Sequence, residues 1–231
     1  MLRVEDLKVQ QGDFTLQASF DVARGRQVAV IGPSGAGKST LLGAIGGFVP
    51  VQAGRIFVED RDVTDATPDQ RGIAMLFQDG NLFPHLTLAQ NVGLGLRPAL
   101  RLTAEEQARV SASLARVGLQ GFEDRRPGDI SGGQQSRAAL ARVLLQDRPV
   151  LLLDEPFAAL GPALRSEMLD LTRDVACEAQ ATVLMITHAP DDARRVADDL
   201  LFVDAGQVHT PRPVSEMMAD PPAGLRAYLG D

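Results

Sequence analysis

With 231 residues, 45% of them apolar and 23% charged, the chain is long enough to bury a sizeable core as one domain, or one domain with a sub-lobe. Its formal net charge of −7 argues against a protein that holds nucleic acid or anionic lipid by bulk electrostatics, so any bound anion must be held locally. The lone Cys177 excludes an internal disulfide, no signal peptide opens the chain and no apolar run approaches the ~20 residues of a membrane span; a soluble cytoplasmic protein is expected, with any membrane role supplied by a partner.

Residues 2–31 alternate short apolar and polar runs around turns at Gln11-Gly12-Asp13 and Arg24-Gly25-Arg26, and read as antiparallel strands. The apolar run Val28-Ala29-Val30-Ile31 then meets Gly32-Pro33-Ser34-Gly35-Ala36-Gly37-Lys38-Ser39-Thr40, which fits G-x-x-x-x-G-K-[ST], and a helix-compatible run follows from Leu41. Strand, loop and helix are the context this phosphate-binding motif requires. Its glycines let successive N–H groups face one anion, and the helix start adds its positive dipole end. Lys38 would then reach the β- and γ-phosphates, and the Ser39 hydroxyl would sit on Mg²⁺. Lys38 is one of only two lysines, beside Lys8, in a chain whose other basic side chains are arginines. A compact ammonium has been kept where a point charge on phosphate is wanted. Phe14 offers a face for a purine ring, or a core position.

From Gly54 the pattern runs strand (55–58), polar turn with Thr67-Pro68, and strand (73–77). Gln78 ends that strand; its amide oxygen can serve a metal or its water, or cap a turn. The loop from Gln78 to His85 is apolar for a surface segment, with Leu82, Phe83 and Leu86 close together, and reads as a docking patch or as cover for the next helix. Residues 87–118 read as helices, with a capping box from Thr103 to Glu106 and a stop at Gly118. Ser131-Gly132-Gly133-Gln134 precedes a helix placed at 137–146 and is either an ordinary N-cap or a second anion site. One chain has little use for a second phosphate site around one nucleotide, unless it serves a nucleotide held by another copy.

The run Val150-Leu151-Leu152-Leu153 is expected to be a strand buried on both faces, ending in Asp154 and Glu155. Asp154 is placed to hold a Mg²⁺ shell and Glu155 to take a proton from water. A helix at 162–179, begun by Pro162, carries Cys177 as a small apolar residue; a buried strand at 181–187 ends at His188, which either senses a γ-phosphate or is a satisfied turn residue. A helix from about Asp191, strands at 200–203 and 207–209, and a polar, proline-rich end complete the chain.

The phosphate loop, Gln78, Ser131-Gly132-Gly133-Gln134, Asp154-Glu155 and His188, in this order and spacing, resemble the nucleotide-binding subunit of an ABC transporter over essentially the whole chain. The resemblance implies an α/β fold: a P-loop NTPase core with an antiparallel β subdomain (1–78 and 149–231) and an inserted α-helical subdomain (79–148), in a single ABC ATPase domain over 1–231. It implies a homodimer with two ATP molecules between the chains, each gripped by residues 32–40 of one copy and by Ser131-Gly132-Gly133-Gln134 of the other. Ser39, Gln78 and Asp154 would arrange Mg²⁺ and its waters, Glu155 would activate the attacking water, and His188 would contact the γ-phosphate. A transmembrane permease would dock near Gln78–His85, with a periplasmic solute-binding protein engaged indirectly and no nucleic acid. The chain would lie peripherally on the cytoplasmic face of a bacterial inner membrane.

More narrowly, residues 75–78, 81–87 and 89–96 resemble the ATPase of bacterial thiamine importers. Two positions depart from the family pattern: Gly161 stands where an aspartate is usual, and Gln11 aligns with the usual adenine-stacking aromatic. The competing readings are the ATPase of another small-solute importer, a non-transport ABC clamp on DNA or a soluble partner, and a P-loop kinase. Co-purification with a permease separates importer from clamp, and phosphate transfer to water separates ATPase from kinase.

Overall fold

The computed structural model describes residues 1–78, 80–158 and 160–230. The two long strands β1 (Leu2–Gln11) and β2 (Phe14–Val22) pair antiparallel through the turn at Gly12, and their burial alternates along the chain, as in a sheet with one wet face. β3 (Gln27–Ile31) departs from the sequence expectation: every residue is buried and it runs parallel to its neighbours, in the core rather than beside β1 and β2. α1 (Lys38–Gly46) follows the phosphate loop and is buried over most of its length. Gly47 stops it in the left-handed region, and the buried Arg71 donates to the Ala44 and Ile45 carbonyls at 2.9 and 3.0 Å, satisfying acceptors the helix end leaves open.

β4 (Ala53–Val58) pairs antiparallel with β1, and β5 (Arg61–Asp62) is a short edge to it. β6 (Ile73–Leu76) returns to the parallel layer, one residue shorter than expected. The stretch expected to be helical throughout 87–118 is two helices, α2 (Leu88–Gly93) and α3 (Ala104–Arg116), separated by a segment holding Gly95 and Pro98. Thr103 and Glu106 form the expected capping box. α4 (Gly132–Leu144) begins five residues earlier than expected because Ser131 caps it. α2, α3 and α4 bury Leu88, Val92, Val110, Leu114, Ala138 and Ala141 in a cluster of their own.

β7 (Val150–Asp154) is buried throughout, as is β8 (Thr182–Ile186), with α5 (Pro162–Ala179) between them in the chain. Cys177 is on α5 as expected but exposed, its sulfur accepting a hydrogen bond from Gln27 Nε2 at 3.3 Å. α6 (Pro190–Val196), β9 (Asp199–Asp204) and β10 (Gln207–Val208) follow. The end is not a loose polar tail: β11 (Arg212–Pro213) pairs with β9, and α7 (Val214–Ala219) and α8 (Ala223–Leu229) bury Met217 and Leu225 against Phe202 and Ile31. Among the described residues no helix is long and apolar enough to cross a membrane.

The strands lie in one path, β5-β4-β1-β2-β10-β9-β3-β8-β7-β6. Its last five members are parallel, so the chain leaves β3, β8, β7 and β6 along a single edge, at Gly32, Thr187, Glu155 and Phe77. In parallel α/β sheets, that edge is where ligands are bound.

Candidate functional site

The phosphate loop is shaped by two close approaches. A Cβ on Gly32 would overlap the Val203 carbonyl, so the chain can leave β3 beside β9 only through glycine. Gly37 has φ 108, and a Cβ there would lie 2.7 Å from Phe14 Cζ and Leu16 Cδ1. Phe14 therefore packs against the core and lies beneath the loop, its ring beside Gly37. Gln11 Oε1 accepts from the Thr40 hydroxyl at 3.1 Å, tying β1 to the start of α1.

Lys38 is 6% exposed and its ammonium donates to the Gly32 and Pro33 carbonyls, both at 2.8 Å. Burial lowers its pKa, while the Glu155 and Asp154 carboxylates act in the opposite direction. Ser39 Oγ donates to Asp154 Oδ1 at 3.2 Å, joining the loop to the end of β7. Burial raises the Asp154 pKa and the Glu155 charge raises it further, with the Ser39 bond opposing both. Lys38 and His188 act in the same direction as the Ser39 bond, and burial outweighs them. Among the described residues no cluster of three or more His, Cys, Asp or Glu could hold a metal alone. One carboxylate and one hydroxyl, with phosphate oxygens and water completing the shell, is how Mg²⁺ is commonly bound, so this donor set fits it.

Glu155 follows β7 with φ 46, a left-handed conformation uncommon outside glycine. Its Oε1 lies 2.6 Å from His188 Nε2. β7 and β8 are neighbours in the sheet, with Asp154 opposite Ile186, and this register brings together residues 33 positions apart in the chain. The loop, Glu155 and His188 surround one hollow of about 390 Å³, lined also by Gln11 and Phe14.

Other predicted residues lie apart from it. Gln78 is exposed two residues past Leu76 of β6, which is paired with Leu153 of β7, so it lies about one strand spacing, roughly 5 Å, from the strand that ends in Asp154; it does not line the hollow. Asp79, beside it in the apolar loop, lies outside the described residues, as does Ala159 before Gly161. Ser131, Gly132, Gly133 and Gln134 do not line the hollow either. The Ser131 hydroxyl accepts from the Gln134 N–H at 3.3 Å, and the Gln134 side chain accepts from the Ser131 N–H at 2.9 Å. This closed capping box occupies the third helical N–H and leaves those of Gly132 and Gly133 at the helix start. A Cβ on Gly132 would meet nothing within 4 Å, whereas one on Gly133 would press on Leu164 of α5 at 2.8 Å.

Sequence reasoning missed the support of both predicted regions. Thr187 Oγ1 donates to Asp192 Oδ2 at 2.7 Å and accepts from the Ala189 N–H at 3.1 Å, while Arg165 of α5 pairs with the same carboxylate, so the turn carrying His188 is held from its N-terminal side. In the apolar loop, Asn91 is fully buried and bonds Phe83 in both directions, and Arg142 of α4 donates to the Gly80 and Asn81 carbonyls, both at 2.8 Å. Arg165 and Arg142 reach their partners from distant elements, whereas Thr187 with Asp192 and Phe83 with Asn91 are close enough in sequence to have given a local signal. Phe83 remains 47% exposed within this braced loop.

Residues 16–158 match the family described as ABC transporter. Over its full length the chain is 55% identical to the Thiamine import ATP-binding protein ThiQ of Ruegeria sp. (strain TM1040), and 56% identical to that of Cereibacter sphaeroides, in each case covering 100% of both sequences. Among solved structures, it resembles a dimeric ATP-binding cassette in a post-hydrolysis state bound to ADP and Pi, with a TM-score of 0.82 at 28% identity over 93% of this chain and 99% of the other. The ADP conformation of another cassette aligns with a TM-score of 0.87 at 26% identity, over 100% of this chain and 99% of that one.

Proposed function

The chain belongs to the ABC transporter family and is an ATP-binding and ATP-hydrolysing subunit, and from that membership we propose that the solute whose import it drives is thiamine. Identity of 55–56% over the full length of importer ATPases named for thiamine supports the solute. The convergence of Lys38, Glu155 and His188 on one hollow, with Asp154 bonded to Ser39, is the observation that carries the chemistry. In this reading residues 32–40 hold the triphosphate, with Lys38 on the β- and γ-phosphates. Ser39 and Asp154 hold Mg²⁺, with Gln78 acting on its waters; the ion neutralises phosphate charge when bound. Glu155 orients the attacking water and takes its proton as the oxygen adds in line to the γ-phosphorus and the bridging oxygen leaves, and His188 steadies the γ-phosphate.

The site is completed by a second copy, whose Ser131-Gly132-Gly133-Gln134 turn covers the nucleotide through its outward N–H groups. Its absence from the hollow of its own chain supports this, as does the dimeric state of the related cassette. A cysteine pair at Ser34 and Ser131, in a Cys177→Ser background, is expected to crosslink between chains when ATP is present. No interchain product with ATP would rule out the composite site.

The division into a core with β subdomain (1–78 and 149–231) and a helical unit (79–148, beginning at the undescribed Asp79) is supported by the separate apolar cluster of α2, α3 and α4. Its braced, exposed loop near Gln78–His85 is where a transmembrane permease docks, placing the chain peripherally at the cytoplasmic face of the inner membrane; a periplasmic solute-binding protein acts through that permease. Reconstituted with its permease, the chain is expected to hydrolyse ATP faster with thiamine, and not with a sugar, a polyamine or iron. Stimulation by one of those instead would reassign the solute while leaving the ATPase reading intact.

Gly161 caps α5 without a side chain, and a Cβ there would meet nothing within 4 Å, so aspartate can be accommodated. Gly161→Asp is expected to raise the cooperativity of ATP turnover, with the Hill coefficient moving towards about 2, the number of sites in the dimer. An unchanged ATP dependence would make the glycine a neutral variation.

A further inference from the structure

The C-terminal helix α8 reaches the catalytic edge through one side chain. Tyr228 Oη donates to the main-chain carbonyl of His188 at 3.2 Å, across 40 residues of sequence. The helix is seated firmly enough to make this bond specific. Leu225 is fully buried with Phe202 and Met217, which is worth about 1.5–3 kcal/mol for a leucine, and Gly224 lies so close to Phe202 and Asp204 that a Cβ would meet them at 3.1 and 2.6 Å. The Tyr228 ring packs on the same cluster. Burial raises the pKa of its hydroxyl and the Glu155 charge acts in the same direction, so the phenol keeps its proton and remains a donor.

His188 lies in a short link between β8 and α6. On the N-terminal side, Thr187 is fixed by Asp192 and Arg165. The peptide that follows His188 carries the carbonyl Tyr228 holds, so the imidazole is aimed at Glu155 by a backbone gripped at both ends. We propose that Tyr228 is a positioning residue for hydrolysis: the C-terminal helix sets the geometry of the His188–Glu155 pair. This rests on the reading of that pair as hydrolytic.

Tyr228→Phe removes the hydroxyl and keeps the ring on its cluster. In the full-length protein it is expected to lower kcat for ATP about three- to ten-fold, the scale of one hydrogen bond, with KM within about two-fold of the parent. In a His188→Ala background the same substitution is expected to change kcat by less than about two-fold, because the group it positions is gone. A merely structural role would lower activity equally in both backgrounds, and that result, or an unchanged kcat in the single variant, overturns the proposal. If His188→Ala itself turns over ATP like the parent, the hydrolytic reading falls and the positioning role with it. A drop in His188→Ala without one in Tyr228→Phe removes the positioning role alone.

Discussion

Glu155→Gln is expected to slow ATP hydrolysis by about 10²–10⁴-fold, the usual contribution of a general base, while leaving nucleotide binding close to that of the parent. The amide is nearly the same size as the carboxylate and can keep a hydrogen bond to His188, whose Nε2 lies 2.6 Å away. What it loses is a site of useful basicity for the proton released as water attacks. Ser39, Asp154 and Lys38, which carry the binding, are untouched. ATP should therefore remain bound, and the variant should accumulate as a closed dimer visible by size-exclusion chromatography with Mg-ATP. A variant that hydrolyses at the parental rate would move the base elsewhere. One that fails to bind ATP would mean that the carboxylate helps to hold nucleotide.

The parts of this site that were legible in the sequence are those set by local chemistry. The phosphate loop announces itself because the tight turn, the glycines and the lysine occupy nine consecutive residues, Gly32 to Thr40. β7 and β8 were legible because largely apolar runs leading to Asp154 and His188 suit strands covered on both faces. The same rules misplaced the start of α4, since Gly132 and Gly133 argue against helix by propensity while the Ser131–Gln134 box supplies the bonds that start one. They hid α7 and α8 as well: Pro213 and Pro222 read as breakers, yet each sits at the N-cap position before a helix, where a missing N–H costs little. The 2.6 Å approach of Glu155 to His188 depends on which strands are neighbours. That order is a property of the whole sheet, and no window of sequence contains it.

The second large effect separates binding from folding. Lys38→Met removes the ammonium and keeps much of the aliphatic stem. Without nucleotide it loses two hydrogen bonds to the Gly32 and Pro33 carbonyls, each worth about 1 kcal/mol net and somewhat more when charged. It also relieves the burial of a charge, the cause that lowers the lysine's pKa. These terms oppose one another, so the melting temperatures of parent and variant are expected to lie within a few degrees. With Mg-ATP at about a hundred times its dissociation constant the parent gains about 2.7 kcal/mol, or roughly 5–10 °C for a chain of this length. The variant has lost the charge-assisted contacts to the β- and γ-phosphates and is expected to gain almost nothing, with turnover below detection. Thermal melts with and without Mg-ATP decide the matter. A variant that melts far below the parent without ATP would mean that Lys38 is chiefly a brace for its own loop. Full stabilisation by ATP would mean that the loop holds phosphate through its N–H groups and helix dipole alone.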